Sequence, residues 1–551
     1  MSRVARGRPL RPVRPTPRRP GWYGCEDRVA WLLRVNRLYG DDERLAGVAG
    51  FAAAFRGGCR SAPVSASQIS RWETAAARAG FGVLRRYEEL LGLAPHRLVA
   101  VADWAYRKAS AEIGPPVLGR GLDPADPQVL DRTERLLEQA LSADLMTSAD
   151  WDELTGYLVV LPTAFLYPRS AWADLAERLL AELLIADGFA WLSRIEALSR
   201  LMADPRVRPA IIAACGALAA DPASQVIIEP LTILDMTADY DANRHVLAQL
   251  ADPASDRAMR GALLSSLEKI RRRHFRPPQL RSLAVAAADM LSVTSLHTEA
   301  RNVAAELLRH APAGQVGPAY ERLRGSTDPT TRSILTYGQT ALPRTAGQVV
   351  ARVAATAVAQ LPASAGADPD SDPMLSLLLG ELLFGPNQNE RLLAGLLLAA
   401  TPYRDPVGAA LATELATAPA AGMVPLTTAI LTAMPFVGRP ADRPIVERLV
   451  LAAGPVAPIT DTATWIIGHI RGHSDQRFWL TAVGTHSRAW QRTRSPDSMS
   501  SLRGLIYALG IGRHHDLLRV LRADTHLPAS ARAAAGWWLN IPTRIHASAA
   551  R

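Results

Sequence analysis

A chain of 551 residues, 48% hydrophobic and 21% charged, has the make-up of a folded protein with several cores or one extended array, which excludes a wholly disordered or collagen-like chain. Its formal charge of +10 is unevenly placed: residues 1–110 hold 20 Lys and Arg against nine Asp and Glu, a net of +11, which leaves 42 against 43, a net of −1, for 111–551. A polyanionic partner is therefore expected for the first fifth of the chain and not for the rest.

In chain order, residues 1–21 come first as an arm. "MSRVARGRPLRPVRPTPRRP" carries seven arginines, five prolines and no acid, so it cannot bury a core and is expected to be disordered when free. No apolar run stands behind it, as a secretory leader would need. Over 22–110 the pattern changes to five short helices. "EDRVAWLLRVNRLY" places Val29, Leu32, Leu33 and Leu38 near one face; "LAGVAGFAAAF" follows, then a Gly-Gly-Cys-Arg break, then "SASQISRWE" (65–73), "GVLRRYEELLGL" and "PHRLVAVADWAYRKAS", the last opening at Pro95.

The third of these helices is the candidate for contact. Ser65 and Gln68 form an S-x-x-Q capping box, so helix begins at Ala66. Ile69 and Trp72, three apart, turn toward the core, which leaves Ser67, Gln68 and Arg71 outward near the positively polarised N-terminus. Small polar groups and one arginine on an exposed first turn suit the edges of bases in a major groove, with backbone N–H groups for phosphate.

"VSASQISRWE", followed by "LRRYEELLGL", resembles the third and fourth helices of the Xre/Cro-type helix-turn-helix domain, and the resemblance spans about residues 26–103. It implies that Ser65–Glu73 is a recognition helix, with Ser65 at its N-cap, Ser67, Gln68 and Arg71 facing bases, and Ile69 and Trp72 in the core. The sequence departs from the family in "RGGCRSAPV", which is longer than the family's tight turn and bears on the angle between the second and third helices. In the arm, "RGRP" resembles an AT-hook core, which implies that Arg6 and Arg8 enter an A·T minor groove; a non-specific phosphate-binding tail is the alternative.

A loop, "IGPPVLGRGLDPADP", leads into 122–551, which reads as helical almost throughout. Asp-Pro recurs at 123, 126, 204, 221, 252, 328, 368, 372 and 405; with Asp as N-cap and Pro in the first turn, each pair predicts a helix start. "PASDRAMRG" (253–261) and "PASARAAAG" (528–536) are alike, and an Arg-x-x-x-small spacing recurs at Arg257/Gly261, Arg301/Ala305, Arg391/Gly395 and Arg532/Gly536, where the small residue would admit a neighbouring helix. The region resembles HEAT and armadillo arrays. The expected fold is thus all-α: a small helix-turn-helix bundle, then a long helical solenoid with a concave surface for a protein, peptide or small-molecule effector.

Little in the remainder points to catalysis. Seven of the twelve histidines lie at or beyond His469, but there is no H-E-x-x-H and no convergent zinc set, so neither metal nor cofactor is expected. The cluster "LEKIRRRHFRPPQLR" (267–281) is a solvated face or a second anionic contact, and the late tryptophans (Trp465, Trp479, Trp490, Trp537, Trp538) read as core. P-loop, Rossmann, G-x-S-x-G and kinase motifs are absent. Three scattered cysteines fit a reducing cytoplasm, and the uncharged stretch Leu415–Gly438 is broken by three prolines, so no membrane span is expected. The reading that follows is a cytoplasmic, nucleoid-associated, sequence-specific binder of double-stranded DNA, a transcriptional regulator and a possible homodimer. The alternatives are a HEAT-like DNA glycosylase and a DNA-tethered scaffold of the nucleoid or antiphage-defence type.

Overall fold

The computed structural model describes residues 23–57, 63–109, 120, 123, 125–161, 166, 168, 170–293, 296–311, 328–361, 372–418, 422–452 and 457–551. The arm with Arg6 and Arg8, Cys59, and the Asp-Pro pair at 368 lie outside these residues. Among the described residues every element is helical and no strand is present, as the all-α reading expects.

Five helices cover the N-terminal segment: α1 (Cys25–Tyr39), α2 (Val48–Ala54), α3 (Ala66–Trp72), α4 (Phe81–Leu90) and α5 (Arg97–Ala109). They are followed by α6 (Pro127–Leu141), α7 (Ser148–Val160), α8 (Ser170–Ile185), α9 (Gly188–Ala203), α10 (Arg208–Ala220), α11 (Ile228–Ile233), α12 (Tyr240–Ala251), α13 (Asp256–Arg271), α14 (Pro277–Leu291), α15 (Thr298–His310), α16 (Pro329–Tyr337) and α17 (Pro343–Val358). The last stretch holds α18 (Pro373–Phe384), α19 (Gln388–Ala399), α20 (Arg404–Thr417), α21 (Val424–Val437), α22 (Arg443–Leu451), α23 (Ala457–Ile466), α24 (Gln476–Thr493), α25 (Pro496–Ile511), α26 (His515–Ala523), α27 (Ala529–Leu539) and α28 (Thr543–Ala549).

Beyond α5 the helices pack mainly on their next and next-but-one neighbours. One row runs α7–α9, α11–α13–α15 and α19–α21–α23–α25–α27; a second runs α6–α8–α10–α12 and α20–α22–α24. The first row turns inward and meets itself: Arg257 of α13 stacks on Trp465 of α23 at 4.2 Å, and His469 pairs with Asp187 at 3.1 Å. The C-terminus returns to the early helices, with α28 on α8, the Arg194 guanidinium donating to the Ser548 carbonyl at 2.6 Å, and Ser148 N–H donating to the Arg551 carbonyl at 3.0 Å.

α1 and α5 are packed in among these helices. α5 packs on α9 and α19, and every residue from Leu98 to Tyr106 is buried; in α1 the same holds from Val29 to Arg37. A helix buried all round belongs to a core, and one hydrophobic cluster accordingly runs from Tyr23 to Trp538. The one-faced reading of α1 is corrected here: Trp31, Arg34, Asn36 and Arg37 are buried along with Val29, Leu32 and Leu33, while Leu38 is only half-buried.

Asp-Pro proves to be punctuation of two kinds. Asp126, Asp328 and Asp372 cap α6, α16 and α18, each with proline in the first turn. Asp204, Asp221 and Asp252 instead follow the ends of α9, α10 and α12, and Asp405 lies inside the first turn of α20. At 204 and 221 the carboxylate accepts from the N–H two residues on, an Asx-turn after which proline bars further helix. The Arg-x-x-x-small pairs also divide. A Cβ on Gly261 would meet Ile228 and Leu231 of α11 at 3.2 and 3.0 Å, and one on Gly395 would enter the Phe436 ring at 2.5 Å, so both glycines admit a helix. At Gly536 the nearest atom is 3.8 Å away and space remains.

Candidate nucleic-acid interface

α3 starts where the sequence places it. Ser65 has extended backbone, and its hydroxyl accepts from the Gln68 N–H at 3.1 Å. Only half of the capping box is made, since the Gln68 side chain does not return to the Ser65 N–H, and it remains half-exposed. Ser65, Ser67 and Arg71 are exposed, whereas Ile69 and Trp72 are buried at 0% and 5% exposure.

Three contacts fix the buried side. The Trp72 ring lies 5.6 Å from Phe55, which stands with Phe51 and Tyr87 in an aromatic cluster. Glu73, at the end of α3, accepts from the Arg37 guanidinium through two bonds of 2.6 and 2.7 Å and from the Tyr87 hydroxyl at 2.9 Å. Arg37 and Glu73 side chains are each 3% exposed, so removing either would strand a buried charge. Desolvation, and then the Glu73 charge, push the Tyr87 phenol well above its ordinary value, so it stays a donor. α2 is closed by Arg86, whose guanidinium donates to the Phe55 and Ala54 carbonyls at 2.9 and 2.8 Å. α5 is opened by Glu88, which accepts from the N–H groups of His96, Leu98 and Val99. That anchor sets the helix start at Arg97, two residues past Pro95.

The cations of this segment are not a free basic surface. Arg28 makes a bidentate pair with Glu381, Arg107 reaches Glu196 at 2.6 Å, and Lys108 lies 3.6 Å from both Asp235 and Glu268. Asp103 in turn is held by Arg120 and Arg200 at 2.9 Å each. Arg85 and Arg86 pair with Glu88 and Glu89 inside α4, and Arg78 lies over the Tyr106 ring at 4.0 Å. Among the described residues of this segment Arg44, Arg56, Arg71 and Arg78 are exposed. Three cations of the described part of this segment, Arg28, Arg107 and Lys108, are thus met in space by acids from beyond residue 110.

Other singled-out groups disperse. His469 pairs with Asp187, and burial, which lowers its pKa, is outweighed by that charge, so the imidazole is held above its ordinary value. His486 meets the Val450 carbonyl at 3.0 Å, His514 lies tilted against Trp479 with ring centres 4.6 Å apart, and His515 meets His546 edge-on. Among the described residues no three His, Cys, Asp or Glu side chains converge as a metal site would require. The 267–281 cluster divides: Lys269 donates to the Thr237 carbonyl at 2.6 Å and is pushed down to about 7 by burial, Arg271 joins Glu268, Glu306 and Glu390, and Arg272 reaches Asp235 at 3.4 Å, while Arg273, Arg276 and Arg281 are exposed. Trp479 and Trp538 are core, at 2% and 0% exposure. Among the described residues no helix is long and apolar enough to cross a membrane.

The contacts of α1 and α5 with the array were not visible in the sequence. The only local signal was an excess of apolar positions on both faces of "RLVAVADWAY", a pattern of burial on every side. No family model, no curated protein and no solved structure matches this chain.

Proposed function

We propose that this chain is a DNA-binding regulator. α3 reads base edges through Ser67, Gln68 and Arg71, with Ser65 at the phosphate-facing end, and Arg6 and Arg8 of the arm follow the adjacent minor groove. The 122–551 helices then serve as a solenoid that receives the signal. The observation that carries this reading is the division of α3, with Ile69 and Trp72 locked beneath it and Ser65, Ser67 and Arg71 left to solvent. That is the division a groove-reading helix needs.

The docking of the N-terminal helices favours one second reading, a DNA-tethered scaffold: Arg28–Glu381 and Arg107–Glu196 tie the reader firmly to the array. A glycosylase would need a basic inner face for duplex, and Lys269, Arg271 and Arg272 are engaged internally. Selection from a random duplex pool with the full-length chain separates regulator from tether. A regulator enriches one sequence, on which Arg71→Ala loses about 1–3 kcal/mol and less on scrambled duplex. No enrichment, or an equal loss on both duplexes, refutes α3 as a reader.

A further inference from the structure

The inner row of helices holds cations that no acid neutralises directly. Arg257 and Arg260 lie on α13 and Arg503 lies on α25, and all three are half-buried. Arg257 crosses to the facing helices, its guanidinium 4.2 Å from the Trp465 ring centre and 5.5 Å from that of Tyr507, and it donates to the Gln225 carbonyl at 2.8 Å. Glu229 and Asp461 for Arg257, Glu299 and Glu229 for Arg260, and Asp256 for Arg503 are within electrostatic reach, but among the described residues no carboxylate comes within 4.0 Å of the three guanidinium groups.

Unmet hydrogen-bonding groups stand on both walls. The Nε atoms of Arg260 and Arg503 are buried without an acceptor. Opposite in character, Gln225 Oε1 and Glu229 Oε2 are buried without a donor, and Gln225 as a whole is 1% exposed. Burial, then the neighbouring Arg257 charge, pull the Arg260 guanidinium down to about 10, and burial pushes the Asp461 carboxyl up to about 6, which weakens that acid as a counter-charge.

An uncompensated charge in a low-dielectric setting is destabilising by several kcal/mol. Arg37–Glu73, Arg107–Glu196 and Arg391–Glu299 avoid it by pairing, whereas Arg97 and Arg404 rest on the Ala399 and Phe436 carbonyls without a carboxylate partner among the described residues. Three arginines left open together therefore mark a place where the counter-charge comes from outside. We infer that Arg257, Arg260 and Arg503, where α13 and α25 bring them together, bind a small ligand bearing an oxyanion, a phosphate or a carboxylate. Guanidinium forks match both groups bidentately. The ligand is small because the facing helices already touch through Arg257 and Trp465, which leaves no room for duplex or a folded partner. The inference does not rest on the DNA-binding reading.

The test uses the full-length chain without DNA. Sodium phosphate, sodium pyrophosphate and sodium succinate are titrated calorimetrically at constant ionic strength in chloride. Saturable binding of at least one is expected; response to the phosphates alone assigns a phosphoryl ligand, and response to succinate alone a carboxylate. Arg260→Gln and Arg503→Gln should each weaken binding about tenfold or more, while Arg519→Gln, an exposed arginine paired with Asp516, leaves it unchanged. Without ligand, Arg260→Gln should unfold at the same temperature as the parent or higher, since it removes an unpaired charge. The inference is overturned if none of the three anions binds, if binding survives both substitutions, or if Arg260→Gln lowers the unfolding temperature.

Discussion

Replacing Trp31 by phenylalanine tests the joint between the N-terminal helices and the array. Trp31 is fully buried, its Nε1 stands 3.0 Å from both Asp372 oxygens, and its ring lies parallel to Tyr403 at 6.1 Å. Asp372 also accepts from the Tyr403 hydroxyl at 3.0 Å and caps α18 through the Leu375 N–H at 3.1 Å. Phenylalanine keeps most of the apolar area and deletes the donor. A hydrogen bond to a buried, ionised acceptor contributes about 1.5–3 kcal/mol; because two donors remain on Asp372, the loss should fall near 2 kcal/mol. It should appear as local opening: amides of Met374–Phe384 would exchange about 30-fold faster, while those of α24, which packs on α22 and α25, keep their protection. Tyr403→Phe should act on the same peptides. In the double variant the carboxylate keeps one donor, so the combined effect should exceed the sum, and Asp372→Asn should relieve part of it. Unchanged exchange in α18 for Trp31→Phe would refute the view that this contact clamps α1 to the array.

Deleting residues 1–20 should weaken binding to selected and scrambled duplex alike and flatten the salt dependence by about one unit of slope for each phosphate the arm neutralises, read from anisotropy titrations at several salt concentrations. Gly510→Ala should lower the unfolding temperature sharply, because its Cβ would lie 2.0 Å from the buried Trp538 indole, a clash that outweighs the helix-propensity gain of about 1 kcal/mol. Gly347→Ala in α17, where the new methyl meets nothing within 4 Å, should raise it. Stability should fall as pH drops from 6.5 toward 4: burial, then neighbouring cations, holds His274 and His546 down to about 4, so the unfolded chain takes up protons first. His274→Gln should flatten that fall in thermal melts, whereas His469, raised by Asp187, contributes stability that is lost as pH rises.

What can be read in the sequence is what is decided locally. The start of α3 is fixed by a serine three residues from the N–H it accepts, and its inner face by Ile69 and Trp72 three positions apart. α1 escapes a local reading for the opposite reason. Asn36 and Arg34 look like solvent positions until the array closes over them, and the carbonyl that satisfies Asn36 belongs to Ala400, 364 residues away, at 2.9 Å. Asp-Pro reads one way and serves two, since an Asx-turn ends a helix with the same residues that begin one. Charge shows the limit most plainly: Arg28 and Arg107 count as basic along the chain, yet Glu381 and Glu196 neutralise them in the fold.

These same pairs give α5 a position between the two candidate sites. At its first turn Glu88 of α4 holds the Leu98 and Val99 N–H groups, and α4 carries Tyr87, which bonds Glu73 at the end of α3. At its far end Lys108 lies 3.6 Å from Glu268 of α13, the helix that also bears Arg257 and Arg260. These contacts, continued along α13 from Glu268 to Arg260, join the buried side of α3 to the three arginines. Contiguity alone is not coupling. Coupling exists only if the anion and DNA favour different arrangements of α5, and then it is reciprocal: the factor by which anion changes affinity for the selected duplex must equal the factor by which duplex changes affinity for the anion. Measuring both on the full-length chain decides the matter. Equal factors different from one, both abolished by Lys108→Met, would make α5 the transmitting element; factors of one would leave a reader and an anion site that share a scaffold and nothing more.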